Sequence, residues 1–208
     1  SKCIASGTGF FNIHTLDWDE DILREAGLDP SRFGELKKAT DTAPLLPEIA
    51  AQVGLPSGIP VTVGCADGAL NQVGIGGWRE RVMSFSVGTS AAIRMVYPEP
   101  KIPEEPSTWC YYLDDGKRIA GAATQGACNC LDWYLERAQS GSGAYDYQGF
   151  ERGVREIEVE KAPYFLPFLF GERCPGWRED RKGGFFDLQA THNEYDLYYS
   201  VLEGTLFR

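Results

Sequence analysis

The turn on which the fold depends has the sequence Val63-Gly64-Cys65-Ala66-Asp67-Gly68-Ala69. Before it, residues Ile59 to Gly64 cluster β-branched side chains between turn formers, which predicts a buried strand. After it, residues 68 to 77 combine apolar side chains with several glycines, which predicts a helix packed close to neighbouring backbone. We therefore expect Asp67 at the N-terminus of a helix that follows a strand, where a carboxylate is held rigidly at the edge of a sheet.

Two interpretations of Asp67 follow from this placement. An aspartate that caps a helix is the commoner case. An aspartate in the same place can also accept a proton from a substrate hydroxyl group, given reach and a suitable pKa. The residues around Asp67 do not by themselves choose between the two.

Two β-hairpins are predicted further along the chain. The first covers Arg81 to Val96 and turns at Gly88-Thr89-Ser90, and the second covers Trp109 to Ala122 and turns at Asp114 to Lys117. Gly88-Thr89-Ser90 presents backbone N–H groups and two hydroxyl groups, and its glycine allows a phosphate to approach the backbone. An ordinary tight turn would have the same composition.

Helices are predicted at four further places, one of them a short helix from Pro47 to Val53 that ends at Gly54. Asp17 as N-cap begins a helix that stops at Gly27, Gly126 to Arg137 has an apolar face, and the apolar residues after Glu194 fall at helical spacing. The Gly- and Ser-rich stretch from Ser140 to Gly149 predicts a mobile loop. Hairpins interleaved with helices indicate an α/β or α+β architecture with a mixed sheet.

Composition and charge exclude several classes of protein. The chain has 208 residues, of which 43% are hydrophobic and 24% charged, as in an ordinary globular protein. A formal net charge of −10 disfavours nucleic acid and anionic membranes as partners. The apolar runs are too short to span a bilayer, and the start at Ser1 shows no export signal.

The cysteines predict neither a metal site nor disulfides. None of the six falls in a Cys-x-x-Cys pair, and only two histidines are available to complete a zinc site. We expect no metal ligands in the chain and reduced thiols in a cytoplasmic protein.

Several segments together resemble the FGGY family of carbohydrate kinases, in the order in which that family carries them. They are Ala5 to Gly9 with Asn12 to Asp19, the turn at Val63 to Ala69, the hairpin at Val87 to Ser90, Gly171-Glu172-Arg173-Cys174-Pro175, and Gly183 to Leu188 continuing to Gly204. Each match is weak alone, but together they span nearly the whole chain. The stretch from Asn12 to Asp19 is most similar to the gluconate kinase subfamily.

The resemblance implies an α/β, actin-like (ribonuclease-H-like) ATPase fold. It implies that residues 1–78 form the later part of the sugar-binding domain and that residues 79–208 form the earlier part of the nucleotide-binding domain. In such an enzyme Asp67, with Gly68 beside the substrate, deprotonates a sugar hydroxyl group that attacks the γ-phosphate of ATP with Mg²⁺.

The resemblance also implies which residues contact the nucleotide. Gly88 and Thr89 would steady the phosphates with the help of Ser90, and Gly121 and Gln125 are lesser candidates. Sugar and ATP are then the expected partners, and a homodimer is left open.

Departures from the family pattern narrow this expectation. The opening Asp-x-Gly-Thr loop of the family and its adenine-binding glycine-rich element are absent, Asp187 stands where glycine is usual, and Gly126-Ala127-Cys128 replaces Asn-Gly-Gly. We therefore expect an internal fragment that lacks kinase activity on its own. The acceptor stays open among gluconate, xylulose, ribulose and other polyols.

Two other functions stay open at this point. A glycoside hydrolase would need a second carboxylate across a groove from Asp67. A non-catalytic fragment would bind nucleotide or sugar without turnover. Glu172 and Arg173 are interpreted as a structural ion pair rather than as ligand contacts.

Overall fold

The computed structural model describes residues 1–138 and 146–207. Within it the chain divides into two compact units, one formed by residues 1–84, 94–102 and 109–121, and the other by residues 85–93, 103–108 and 122–208. None of the helices in the described ranges has the length and apolar character needed to cross a membrane.

The N-terminal 74 residues contain four short helices and two small antiparallel sheets. The helices are α1 (Lys2–Ala5), α2 (Glu20–Glu25), α3 (Pro47–Val53) and α4 (Asp67–Gly74), with a 3₁₀ turn at Pro30–Arg32. The sheets pair β1 (Phe11–Asn12) with β2 (Asp17–Trp18), and β3 (Thr42–Pro44) with β4 (Pro60–Thr62).

Four strands then form a sheet with the order β5-β6-β8-β7. They are β5 (Met83–Val87), β6 (Ala91–Tyr97), β7 (Trp109–Asp114) and β8 (Lys117–Thr124). Both predicted hairpins are confirmed, since β5 and β6 flank Gly88–Ser90 and β7 pairs antiparallel with β8.

The rest of the chain supplies three helices and a small sheet. They are α5 (Cys128–Ala138), α6 (Tyr147–Gly153), β9 (Tyr164–Leu166), β10 (Gly184–Phe186) and α7 (Glu194–Leu206), with 3₁₀ turns at Val154–Glu156 and Val159–Lys161. β9 and β10 pair antiparallel. The helices predicted from Gly126 and from Glu194 are confirmed as α5 and α7.

Each unit has its own core, and the two cores differ in composition. The first is built mostly from small and medium side chains, namely Cys3, Ala69, Val96, Tyr112, Leu113 and Ile119. The second is rich in aromatic rings and contains Cys130, Tyr134, Leu135, Phe150, Phe165, Tyr198 and Val201. An aromatic side chain buries more apolar area than a small one, so each ring of the second core contributes more to the hydrophobic effect than each small side chain of the first.

Four local predictions were wrong. The N-cap of α2 is Asp19 rather than Asp17, because the Asp19 carboxylate accepts the Ile22 N–H. The strand β4 is exposed rather than buried, because β-branched residues report strand propensity and not whether another layer covers the strand.

The other two concern a loop and the cysteines. The loop predicted from Ser140 ends earlier, since Asp146 caps α6 through the Gly149 N–H; residues 140–145 lie outside the described residues. Cys3 and Cys65 form a disulfide, so the expectation of six reduced thiols fails for this pair, which lies 62 residues apart in sequence.

Candidate active site

Asp67 is the first residue of α4 and its side chain is exposed. The chain leaves β4, passes Gly64 at a φ of +79°, where a residue without Cβ is favoured, and enters the helix. Ala66 is the N-cap, so the capping interpretation of Asp67 is not what the structure shows. The Asp67 Oδ1 atom instead accepts the N–H of Gly68 at 2.6 Å.

The segment from Val63 to Ala69, which we call the Asp67 turn, is fastened at several points. The N–H groups of Val63 and Gly64 donate to the carbonyl groups of Asp41 and Ala39, at 2.9 and 3.0 Å. The Cys3–Cys65 disulfide ties it to α1. These contacts fix the backbone on the N-terminal side of Asp67.

Arg94 lies on the other side of Asp67, against Gly68. A Cβ atom added at Gly68 would come within 3.3 Å of the Arg94 Nε atom. The guanidinium group also lies 6.0 Å from the ring centroid of Trp109, which stacks on Tyr111 at 4.7 Å. The backbone of the predicted substrate-binding residue is therefore in close contact with a cation.

The second predicted site is the exposed segment Gly88–Ser90, which we call the hairpin turn. The Gly88 N–H donates to the Ser90 carbonyl at 2.9 Å, so it is already engaged. The donors that we consider for a phosphate are accordingly the N–H and hydroxyl groups of Thr89 and Ser90.

The first turn of α5 holds the hairpin turn in place. The N–H groups of Cys128 and Asn129 donate to the carbonyl groups of Gly88 and Thr89, at 2.9 and 3.4 Å. Two free donors of a helix N-terminus are satisfied in this way. The structure thus brings the hairpin turn and the start of α5 together, although they are about 40 residues apart in sequence.

Asn129 also joins Gln125 to this arrangement. Its Nδ2 atom donates to the Gln125 carbonyl at 2.9 Å, and its Oδ1 atom accepts the Ala127 N–H at 2.8 Å. Sequence reasoning missed Asn129 as a site residue, although an Asn in the first turn of a predicted helix is a recognisable signal for such bonds.

Gly126 allows the same turn to pack against backbone. A Cβ atom there would lie 2.3 Å from the Pro167 carbonyl oxygen, which is closer than real Cβ atoms approach. The turn between β8 and α5, which carries Gln125, is therefore in contact with the segment that follows β9.

The predicted site residues fall into separate groups. Asp67 and Gly68 belong to the first unit, whereas the hairpin turn and Gln125 belong to the second. Gly121 lies in β8 opposite Trp109, within the first unit. Within the second unit, Gln125 and the hairpin turn meet through Asn129.

The charged element near Gly171 has a structural contact of its own. Glu172 is 2% exposed and forms an ion pair with Arg181 at 2.9 Å, rather than with its neighbour Arg173. Among residues 1–138 and 146–207, no group of three or more His, Cys, Asp and Glu side chains is placed to hold a metal ion.

Two family models match the chain in sequence order. The N-terminal domain model of the FGGY family of carbohydrate kinases matches residues 2–74, and the C-terminal domain model of the same family matches residues 83–208. The chain belongs to the FGGY family of carbohydrate kinases.

Individual relatives agree with the family models. The gluconokinase of Bacillus subtilis is 30% identical over 98% of this chain, and the xylulose kinase of Escherichia coli is 28% identical over 96% of it. The chain spans 42% and 41% of the length of these two relatives.

Solved structures show the same likeness in three dimensions. The gluconate kinase of Lactobacillus acidophilus superimposes with a TM-score of 0.91 at 26% identity, and the ligand-bound xylulose kinase of the same organism with 0.88 at 28%. Each covers 99% of this chain, which covers 42% of each of them. The expected α/β, actin-like ATPase fold is confirmed.

Proposed function

We propose that the complete protein transfers the γ-phosphate of ATP to a hydroxyl group of a sugar or sugar acid, with Asp67 as the general base. Family membership is the observation that carries this proposal, because both domain models of a carbohydrate kinase family match. The matches favour this function over the glycoside hydrolase alternative. Gluconate is the first acceptor to test and xylulose the second, as the relatives' names indicate.

The structural setting of Asp67 supports its role. Its carboxylate is exposed, so a substrate can reach it, and its bond to the Gly68 N–H fixes its orientation. A general base must lie within hydrogen-bond reach of the hydroxyl group from which it takes the proton. Gly68, next to it, would form part of the sugar site.

The donor set of the hairpin turn fits a phosphate group. Thr89 and Ser90 are exposed and offer hydroxyl and N–H donors at a turn that is hydrogen-bonded to the start of α5. We assign Thr89 and Ser90 as phosphate donors and Gly88 as the residue that lets a phosphate approach the backbone, with Gly121 and Gln125 as further nucleotide contacts. Mg²⁺ would enter with ATP as part of the substrate complex, where it neutralises phosphate charge.

We retain residues 1–78 and 79–208 as the division between the sugar-binding and nucleotide-binding parts, and the cytoplasm as the location. The 208-residue chain by itself should not turn over, because it spans less than half the length of its relatives. Robust ADP formation by the isolated chain would contradict this.

The test uses the complete protein with gluconate, xylulose, ribulose and glycerol as acceptors. ADP release and the mass of the phosphorylated product are measured together. We expect the Asp67→Asn variant to lose about 10²- to 10⁴-fold in kcat while it still binds ATP.

Asp17→Asn is the matched control. Asp17 is also exposed, and its Oδ1 atom accepts the N–H of the next residue at 2.8 Å, as in Asp67. This variant should keep the kcat of the wild type. Full turnover of Asp67→Asn would refute the assigned base, and the absence of any phosphorylated acceptor would refute the function.

A further inference from the structure

The disulfide between Cys3 and Cys65 lies next to the proposed general base. Cys3 belongs to α1 and is 2% exposed, whereas Cys65 is half-buried and lies two residues before Asp67. The cross-link therefore acts on the backbone that leads directly into the first turn of α4.

The helix α1 is a fixed anchor for this cross-link. The Lys2 N–H donates to the Lys37 carbonyl at 2.8 Å, and the Tyr112 N–H donates to the Ser6 hydroxyl at 3.1 Å. Cys3 itself packs in the first core. If Cys65 moved while the disulfide is intact, α1 would have to move with it, and these contacts would break.

The start of α4 depends on the cross-link in another respect. The N-caps of α2 and α7 are Asp19 and Asn193, whose side chains accept backbone N–H groups. The N-cap of α4 is Ala66, which has no such side chain. Instead, the Ala66 N–H itself donates to the Cys3 sulfur at 3.4 Å. The sulfur pair thus holds the helix start that carries Asp67.

We propose that the Cys3–Cys65 disulfide is a positioning cross-link for Asp67, and that its reduction by a dithiol lowers kcat of the kinase. The inference rests on the proposed function. Asp67 must be held in a narrow range of positions to meet the acceptor hydroxyl group, and small displacements of catalytic groups are costly.

The chemistry is a thiol–disulfide exchange. A thiolate of the dithiol attacks the sulfur of Cys65, which is the more exposed residue of the pair. The bond to Cys3 breaks, and Cys3 leaves as a thiolate that takes up a proton. The second thiol group then displaces Cys65, so the reductant becomes a cyclic disulfide. Two electrons and two protons end on the two cysteines.

A reversible role fits the proposed location of the protein. Disulfides in cytoplasmic proteins are rare, and those that occur are usually catalytic or redox-sensing. The cross-link lies two residues from the proposed general base. The rate of sugar phosphorylation would therefore depend on the thiol–disulfide redox state of the cytoplasm.

The experiment uses the complete protein, purified without reductant, with the acceptor that it phosphorylates. We measure kcat and the KM for ATP before and after dithiothreitol, and count alkylated cysteines by mass. Reduction should lower kcat about tenfold and leave the KM for ATP unchanged, and reoxidation should restore kcat. Cys3→Ala should show the low kcat in both conditions.

Two further variants separate positioning from general stability. Cys110→Ala removes a free, half-buried thiol of the same unit, and it should respond to the dithiol as the wild type does. In Asp67→Asn the residual turnover should not fall further on reduction, because the positioned group is gone. A further fall there would show a merely structural role and overturn the inference.

The remaining outcomes are distinct. An unchanged wild-type kcat after both cysteines have become alkylatable overturns the inference and leaves the proposed function intact. Alkylation of both cysteines without reductant also overturns it. A protein that phosphorylates no acceptor in either redox state overturns the proposed function, and the inference falls with it.

Discussion

The Asp67 turn is fastened by backbone hydrogen bonds and by a disulfide between cysteines that lie 62 residues apart, whereas the hairpin turn is fastened to the first turn of α5 by hydrogen bonds without a covalent link. The cores of the two units that carry these turns also differ. The first unit has a core of small and medium side chains, and the second a core of aromatic rings. The start of α4 thus depends on a bond that a reductant can open, and the start of α5 does not.

Reduction of the disulfide should cause the largest difference in stability between the two units. A cross-link across 62 residues restricts the unfolded chain by about 4 kcal/mol. Amide hydrogen exchange with and without dithiothreitol should show lower protection in α4 and α1, and unchanged protection in α5 and α7. Equal loss of protection in both sets of helices would contradict a selective effect of the disulfide on the first unit.

Gly126→Ala should have the second largest effect, and it should destabilise the contact between α5 and the hairpin turn. The added Cβ atom meets the Pro167 carbonyl oxygen at 2.3 Å, and backbone on both sides cannot yield easily. We expect a loss of about 1–3 kcal/mol in the local stability of α5, with weaker ATP binding, measured by hydrogen exchange and by titration.

Gly74→Ala is the control for that variant. A Cβ atom at Gly74 would meet nothing within 4 Å, and the residue ends a helix. It should be neutral or slightly stabilising. If both variants behave alike, the close approach of Gly126 to Pro167 does not hold the turn.

Asn129→Ala should have a smaller effect. It removes the bonds to the Gln125 carbonyl and the Ala127 N–H, at a cost of about 1 kcal/mol. Asn193→Ala removes the cap of α7 at a similar cost. Only Asn129→Ala should weaken ATP binding. An equal loss of ATP affinity in both variants would show that Asn129 has no specific role in the nucleotide site.

Gly68→Ala should have the smallest effect on stability. The added Cβ atom meets the end of the Arg94 side chain at 3.3 Å, and a guanidinium group can move where a carbonyl group cannot. We expect a change within about 0.5 kcal/mol, measured by chemical unfolding. A loss as large as that of Gly126→Ala would show that Arg94 is locked in place.

Local patterns predicted much of the fold but not how its parts meet. The hairpins and the helices α5 and α7 depend on turn residues and spacing within a few positions. The pair β9–β10 was missed, since each strand has only three residues. The error at β4 has a different origin, because strand propensity does not show whether another layer covers the strand.

The candidate site shows the same limit. Asp67 and the hairpin turn were found from their own sequence and from the order of the family segments, and their roles stay predictions. Asn129 escaped notice, because its partners only become apparent once α5 is docked on the hairpin turn.

By itself the sequence determined the order of the elements, the family, and the placement of Asp67 at a helix start, since these depend on neighbours along the chain. Only the tertiary structure decided that Cys3 meets Cys65, that Arg94 lies on Gly68, and that Glu172 pairs with Arg181. The first two join residues that lie far apart in sequence, and all three depend on how the backbone is folded in space. No local pattern of residues carries that information.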